Sequence, residues 1–126
     1  MKIDHIDHIV ITVNDIEKTI QFYTTVLGME ATVFGENRSA LTFGNQKINL
    51  HQKGREFEPK AKKPTCGSED LCFIVSTEIE SIKIELENKG IDIVTGIVHR
   101  TGAIGKIRSI YIRDPDQNLI ELSNYE

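Results

Sequence analysis

The stretch His8-Ile-Val-Ile-Thr-Val13 runs directly into Asn14-Asp-Ile-Glu17 and on to Leu27-Gly28. Its first six residues alternate. Ile9, Ile11 and Val13 fall on one face of a strand, and His8, Val10 and Thr12 on the other. Asn14 followed three residues later by Glu17 is a capping-box pattern and predicts a helix start. Ile16, Ile20, Tyr23 and Leu27 lie at helical spacing and form a buried stripe, and Gly28 is a natural stop. The same pattern returns at Asp70-Leu-Cys-Phe-Ile-Val75. There Thr77 with Glu80 opens a second helix, Ile79, Ile82, Lys83 and Leu86 mark its inner side (Lys83 through its aliphatic stem), and Gly90 closes it. His8 maps to Asp70, Val13 to Val75 and Gly28 to Gly90, a constant offset of 62 residues. Arg38-Ser39 maps to Arg108-Ser109 at 70, and Ile48-Asn49-Leu50 to Ile120-Glu121-Leu122 at 72. Loop insertions account for the drift, so the chain is an internal repeat.

Working outward, Glu30–Phe34, Arg38–Phe43 and Lys47–His51 read as three further strands, separated by Gly/Asn turn chemistry. Ile91–Val98, Lys106–Ile112 and Asn118–Ser123 are their counterparts. Each half is therefore βαβββ. The expected fold is α+β, two βαβββ modules forming a curled, trough-like mixed sheet. Residues 1–126 make one domain, with module 1 at 4–51, a linker at 52–68 and module 2 at 69–126. The linker holds Pro59, Pro64, Gly54 and Gly67, and five basic residues (Lys53, Arg55, Lys60, Lys62 and Lys63) against Glu56 and Glu58. Ile9, Ile11, Phe73 and Val75 face the helices and are expected in the core.

Composition narrows the function classes. A length of 126 residues fits one domain. Fifteen Lys and Arg against 19 Asp and Glu leave a net charge of −4, so the chain lacks the basic footprint of a nucleic-acid binder. No apolar run approaches the roughly 20 residues that cross a bilayer, and the charged Lys2-Ile3-Asp4-His5 start is unlike a signal peptide. The expectation is a cytoplasmic protein with no membrane partner. Two cysteines, Cys66 and Cys72, are too few for a disulfide scaffold and read as reduced thiols.

Strand parity sorts the polar residues. The face away from the helices carries His8, then Lys47, Asn49 and His51, then Asp70 and Cys72, and finally Leu119, Glu121 and Ser123. His8, His51, Asp70 and Glu121 thus offer two imidazoles and two carboxylates to one cavity, a donor set suited to Zn²⁺, Ni²⁺, Fe²⁺, Mn²⁺ or Co²⁺. Glu121 sits between Ile120 and Leu122, where an unpaired carboxylate is expensive.

Residues 8–29, from HIVITVNDIEKTIQFYTTVLGM, and Asp114-Pro-Asp-Gln-Asn-Leu-Ile-Glu-Leu122 resemble the opening strand–helix and closing turn–strand of the glyoxalase/bleomycin-resistance/extradiol-dioxygenase (vicinal oxygen chelate) superfamily. The resemblance covers essentially the whole chain. Residues 100–105 and the linker are similar, more narrowly, to short lactoylglutathione-lyase-like and virulence-associated glyoxalase-domain proteins. His8 matches the family's first-strand His ligand and Glu121 its last-strand Glu ligand. The fourth-strand Glu of the lyase is Asn49 here, and the His of the second module's first strand is Asp70. His51 is a substitute on the same face, its Cα roughly 6–7 Å beyond Asn49. The resemblance implies a metal-dependent lyase or isomerase acting on a small oxygen-chelating substrate, such as a 2-oxoaldehyde–thiol hemithioacetal. Glu121 or Asp70 would be the catalytic carboxylate. A divalent metal (Zn, Ni, Mn or Fe) would be held by His8 and Glu121 with His51 and Asp70. Alternatives within the superfamily are a non-catalytic drug-binding protein, an Fe-dependent dioxygenase and a thiol transferase. The resemblance also implies a homodimer.

Overall fold

The computed structural model describes every residue from Met1 to Glu126. The element order is β1 (His8–Val13), α1 (Ile16–Thr25), β2 (Glu30–Phe34), β3 (Arg38–Phe43), β4 (Gln46–Gln52), β5 (Asp70–Ile74), α2 (Ile79–Asn88), β6 (Thr95–Thr101), β7 (Lys106–Arg113) and β8 (Leu119–Tyr125). They form two four-stranded mixed sheets, ordered β1-β4-β3-β2 and β5-β8-β7-β6. β1 runs parallel to β4 and β5 parallel to β8, while the remaining pairs are antiparallel. The chain divides into two units, Met1–Gly67 and Ser68–Glu126. This is the α+β, twice-repeated βαβββ arrangement of the vicinal oxygen chelate fold. No helix is long and apolar enough to cross a membrane.

Each unit buries one face of its sheet under its helix. In the first, Ile11, Val13, Leu41, Ile48 and Leu50 pack with Tyr23 of α1, all nearly inaccessible. In the second, Ile110, Ile112, Ile120 and Leu122 meet Ile79, Ile82 and Leu86 of α2. Burying each such side chain contributes about 1.5–3 kcal/mol. Ile9, Phe73 and Val75 are only half-buried, because β1 and β5 are the edge strands of their sheets. Of the four residues expected in the core from these strands, Ile11 alone is fully buried.

The helix starts differ from the sequence expectation. Asp15, not Asn14, caps α1, its carboxylate accepting from the Lys18 amide at 3.1 Å. The N-cap of α2 is Glu78, with no side-chain cap of its own, so Thr77 does not play that part. A residue distant in sequence supplies the missing partner. Asn124, near the end of β8, accepts from the Ile79 amide at 2.7 Å and donates to the Val75 and Thr77 carbonyls. Gln52, at the end of β4, accepts from the Ile16 amide at 3.3 Å and donates to the Asn14 carbonyl at 2.7 Å. The repeat thus extends to one amide side chain per unit that ties the strand–helix turn to the last strand. Lys83 is exposed and reaches Glu87 one turn on instead of lying along the core. β6 starts at Thr95 rather than Ile91, and its register with β7 shifts between Thr95 and Val98, beside Gly96. Gly28 and Gly90 end the two helices with φ of +71° and +70°, backbone conformations that side chains with a Cβ rarely adopt.

Candidate functional site

The open face of the second sheet is built around Glu121. In register, Cys72 of β5 lies on one side of it and Tyr111 of β7 on the other. Its Oε1 accepts from Ser109 Oγ at 2.6 Å, and Ser123 Oγ lies 2.7 Å from Ser109 Oγ. Both serines are fully buried. A carboxylate held in this way by an inaccessible hydroxyl pair has its orientation fixed. Cys72 Sγ lies 3.4 Å from Ser123 Oγ, and burial pushes its thiol pKa up, keeping it protonated. The Tyr111 hydroxyl accepts from Arg100 Nε at 3.1 Å. Burial pushes the Tyr111 phenol up, the Arg100 hydrogen bond opposes this, and Glu121 beside it adds to the rise. A cavity of about 370 Å³ opens here, lined by Asp70, Thr95, Arg100, Tyr111, Leu119 and Glu121.

The open face of the first sheet is ordered in rows. His8, Lys47, Thr42 and Glu30 form one; Val10, Asn49, Ala40 and Thr32 the next. Thr12 and His51 continue into Arg38 and Phe34 in a third. Asn49 is 5% exposed and its Oδ1 has no hydrogen-bond partner. Its row explains this, since the Val10 and Ala40 side chains beside it carry no donor. A buried acceptor left unmade costs about 1–3 kcal/mol. His8 is half-exposed, with Nδ1 2.7 Å from Asp7 Oδ2. A carboxylate on Nδ1 orients the ring and turns Nε2 away from it, the arrangement common in metal-binding histidines. His51 is placed otherwise. It is 3% exposed, packs edge-on against Phe57, and accepts from the Arg38 guanidinium across 3.4 Å. Burial, then Arg38, push its pKa down, so the ring is neutral and already engaged.

The four sequence-predicted donors therefore lie on the open faces as parity required. His8 and His51 are two rows apart on the first sheet; Asp70 and Glu121 are one row apart on the second. Within neither unit do three His, Cys, Asp or Glu side chains converge on one point. The donors are, in the first unit, an oriented imidazole at His8 and an amide oxygen at Asn49 and, in the second, a fixed carboxylate at Glu121, each of a kind that divalent ions accept. Sequence reasoning missed Ser109, Tyr111 and Arg100 around Glu121, and Phe34, Arg38 and Phe57 around His51. Parity on β3 and β7 placed Arg38, Ser109 and Tyr111 on the open faces, had it been extended to those strands. Phe57 lies in the loop after β4 and carries no periodic signal.

Comparison with known proteins agrees with this fold. Over 125 residues the chain is 62% identical to the virulence protein STM3117 of Salmonella typhimurium, covering 99% of this chain and 87% of that protein. The crystal structure of STM3117 superposes with a TM-score of 0.99 over the whole of both chains. The glyoxalase domain-containing protein RDO1 of Mycosarcoma maydis is 56% identical, covering 100% of this chain and 71% of that one. The metallothiol transferase FosB of Staphylococcus epidermidis is 30% identical, covering 97% and 82%. Residues 5–122 match the model of the glyoxalase/bleomycin resistance protein/dioxygenase superfamily, and the chain belongs to that family.

Proposed function

We propose that the protein is a metal-dependent lyase or isomerase acting on a small substrate with two neighbouring oxygens, such as the adduct of a 2-oxoaldehyde with a thiol. The observation that carries this reading is Glu121, a carboxylate between apolar strand neighbours, fixed through one oxygen by a buried serine pair and bordering a cavity. His8 and Glu121 would hold a divalent ion, and Asn49, Asp70 and His51 are the further donors the chain offers. Of these, Asp70 is exposed and lines the cavity, the Asn49 oxygen is unpaired but buried, and His51 is buried and bonded to Arg38. When bound, such an ion polarises a substrate oxygen as a Lewis acid.

The chain's own residues would do the rest. Ser109 and Ser123 keep Oε1 of Glu121 in place, leaving the second oxygen to take a proton from one carbon and return it to the next. Asp70, lining the same cavity, is the alternative carboxylate for that transfer. Arg100, lining the same cavity, would supply a donor to the oxygen on which charge develops. Asn49, unlike a carboxylate, cannot act as a base, which assigns the proton transfer to the second sheet. The likeness to FosB favours thiol addition to a small molecule as a second reading, with the same residues holding the ion.

Metal-loaded protein mixed with methylglyoxal and glutathione should form a thioester, followed by its ultraviolet absorbance. Glu121→Gln should abolish this while leaving the fold intact. Undiminished turnover by Glu121→Gln would contradict the assignment. Turnover of thiol and electrophile without thioester formation would favour the transferase.

A further inference from the structure

The first sheet carries a cluster that the proposed chemistry does not use. Lys47 Nζ sits 3.9 Å from the centroid of the Phe34 ring, and the Arg38 guanidinium carbon 5.1 Å from the same centroid. Arg38 also stacks at 4.7 Å from the Phe57 ring. The two cations are therefore held within about 9 Å of each other. Neither takes part in any of the salt bridges of the chain. The nearby Asp7 carboxylate is bonded to His8, and His51, the one side-chain hydrogen-bond partner of Arg38, is neutral. Two like charges steadied by aromatic rings, with no carboxylate in direct contact with either, repel each other, and an anion between them removes that repulsion.

We propose that Arg38 and Lys47, with Phe34 and Phe57, form a binding site for an organic carboxylate whose flat apolar body lies against the two rings. The span between the cations can be bridged by one carboxylate with a contact of about 3 Å at each end, and a guanidinium presents its donors in a planar fork matched to that group. The rings beside the charges call for an apolar body directly attached to the acid. Free phosphate has no such part. His51 acts as a positioning residue: it accepts from Arg38 and, edge-on to Phe57, keeps cation and ring in register. All five residues lie in the first unit, so binding there can be read in the metal-free protein.

The test is a titration of metal-free protein, followed residue by residue through backbone amide chemical shifts. The probes are benzoate, its uncharged isostere benzamide, and inorganic phosphate. Benzoate should give saturable shifts centred on Phe34, Arg38, Lys47 and Phe57, with benzamide and phosphate each about tenfold weaker or worse. Arg38→Gln and Lys47→Gln should each weaken benzoate about tenfold, and Arg38→Lys should recover part of the loss. Phe57→Ala should weaken benzoate but not phosphate. Both charge variants change polar side chains on an open face, and their amide spectra report folding directly. Equal affinity for benzamide and benzoate would overturn the proposal. So would shifts mapping elsewhere, or unchanged binding by the doubly substituted Arg38→Gln, Lys47→Gln protein. Tighter binding of phosphate than of benzoate would overturn the choice of a carboxylate.

Discussion

The two sheets have the same topology, the same order of parallel and antiparallel pairs and the same left-handed glycine after the helix, yet their open faces differ in chemistry. The first presents Arg38, Lys47 and His51 among the rings of Phe34 and Phe57. The second presents carboxylates and hydroxyls, Asp70 and Glu121 with Ser109, Ser123 and Tyr111. The helix-facing sides remain alike because each must fill the same space: Leu41, Ile48 and Leu50 in one, Ile110, Ile112 and Ile120 in the other. Duplication keeps what packing requires and releases what faces outward. We propose the proton transfer for the unit with a fixed carboxylate, and the hold on an anion for the unit whose two cations make no ion pair.

The largest expected effect tests that division. Glu121→Gln should lower turnover by about 10²–10⁴-fold, while Lys47→Gln on the other sheet should leave kcat unchanged. Steady-state kinetics on the two variants separate these outcomes, and a matched loss in kcat would erase the distinction. Next come the conserved layers. Leu41→Ala and Ile110→Ala should each cost about 2–5 kcal/mol in urea denaturation. A loss under about 1 kcal/mol in either would show that one unit contributes little to the shared stability of the chain.

A smaller effect separates the helix starts. Asn124→Ala removes the side-chain partner of the Ile79 amide at the start of α2 and should cost about 1–3 kcal/mol. Gln52→Ala should cost less, about 0.5–1.5 kcal/mol, because Asp15 still caps α1. The reverse order in thermal denaturation would mean that the Asp15 cap is the weaker tie. The smallest effect is electrostatic. The hydrogen bond from Arg108 holds the Glu80 carboxyl below its usual pKa, so its contribution is present above the ordinary carboxylate range and fades as pH falls through and below it. Glu80→Gln should lower stability slightly near neutrality and flatten that acid limb, with the two proteins converging at low pH. An acid limb as steep as the parent's would remove Glu80 from the account.

Much of the fold was legible in the sequence because the hydrophobic alternation of HIVITV and its return 62 residues later leave few other arrangements. Parity then placed His8, Asn49, His51, Asp70 and Glu121 on the open faces. The helix starts were misjudged because Asn14 and Thr77 look like local caps, whereas Gln52 and Asn124 reach those turns from strands 36 and 45 residues away from the amides they accept. No local pattern encodes that contact. The state of each donor was also beyond the sequence. His8 and His51 are the same residue type on the same face, but Asp7 orients one and Arg38 occupies the other. The orphaned oxygen of Asn49 depends on Val10 and Ala40 being its row neighbours, a consequence of register between strands.

The most direct test of the division between the faces is a calorimetric titration of Ni²⁺ or Zn²⁺ into metal-stripped parent, His8→Ala, Glu121→Gln and Arg38→Gln proteins under one set of conditions. The account predicts one ion per chain, affinity lowered on the order of 100-fold by His8→Ala and by Glu121→Gln, and affinity unchanged by Arg38→Gln. Parent-like affinity in both His8→Ala and Glu121→Gln, or an equal loss in Arg38→Gln, would contradict it.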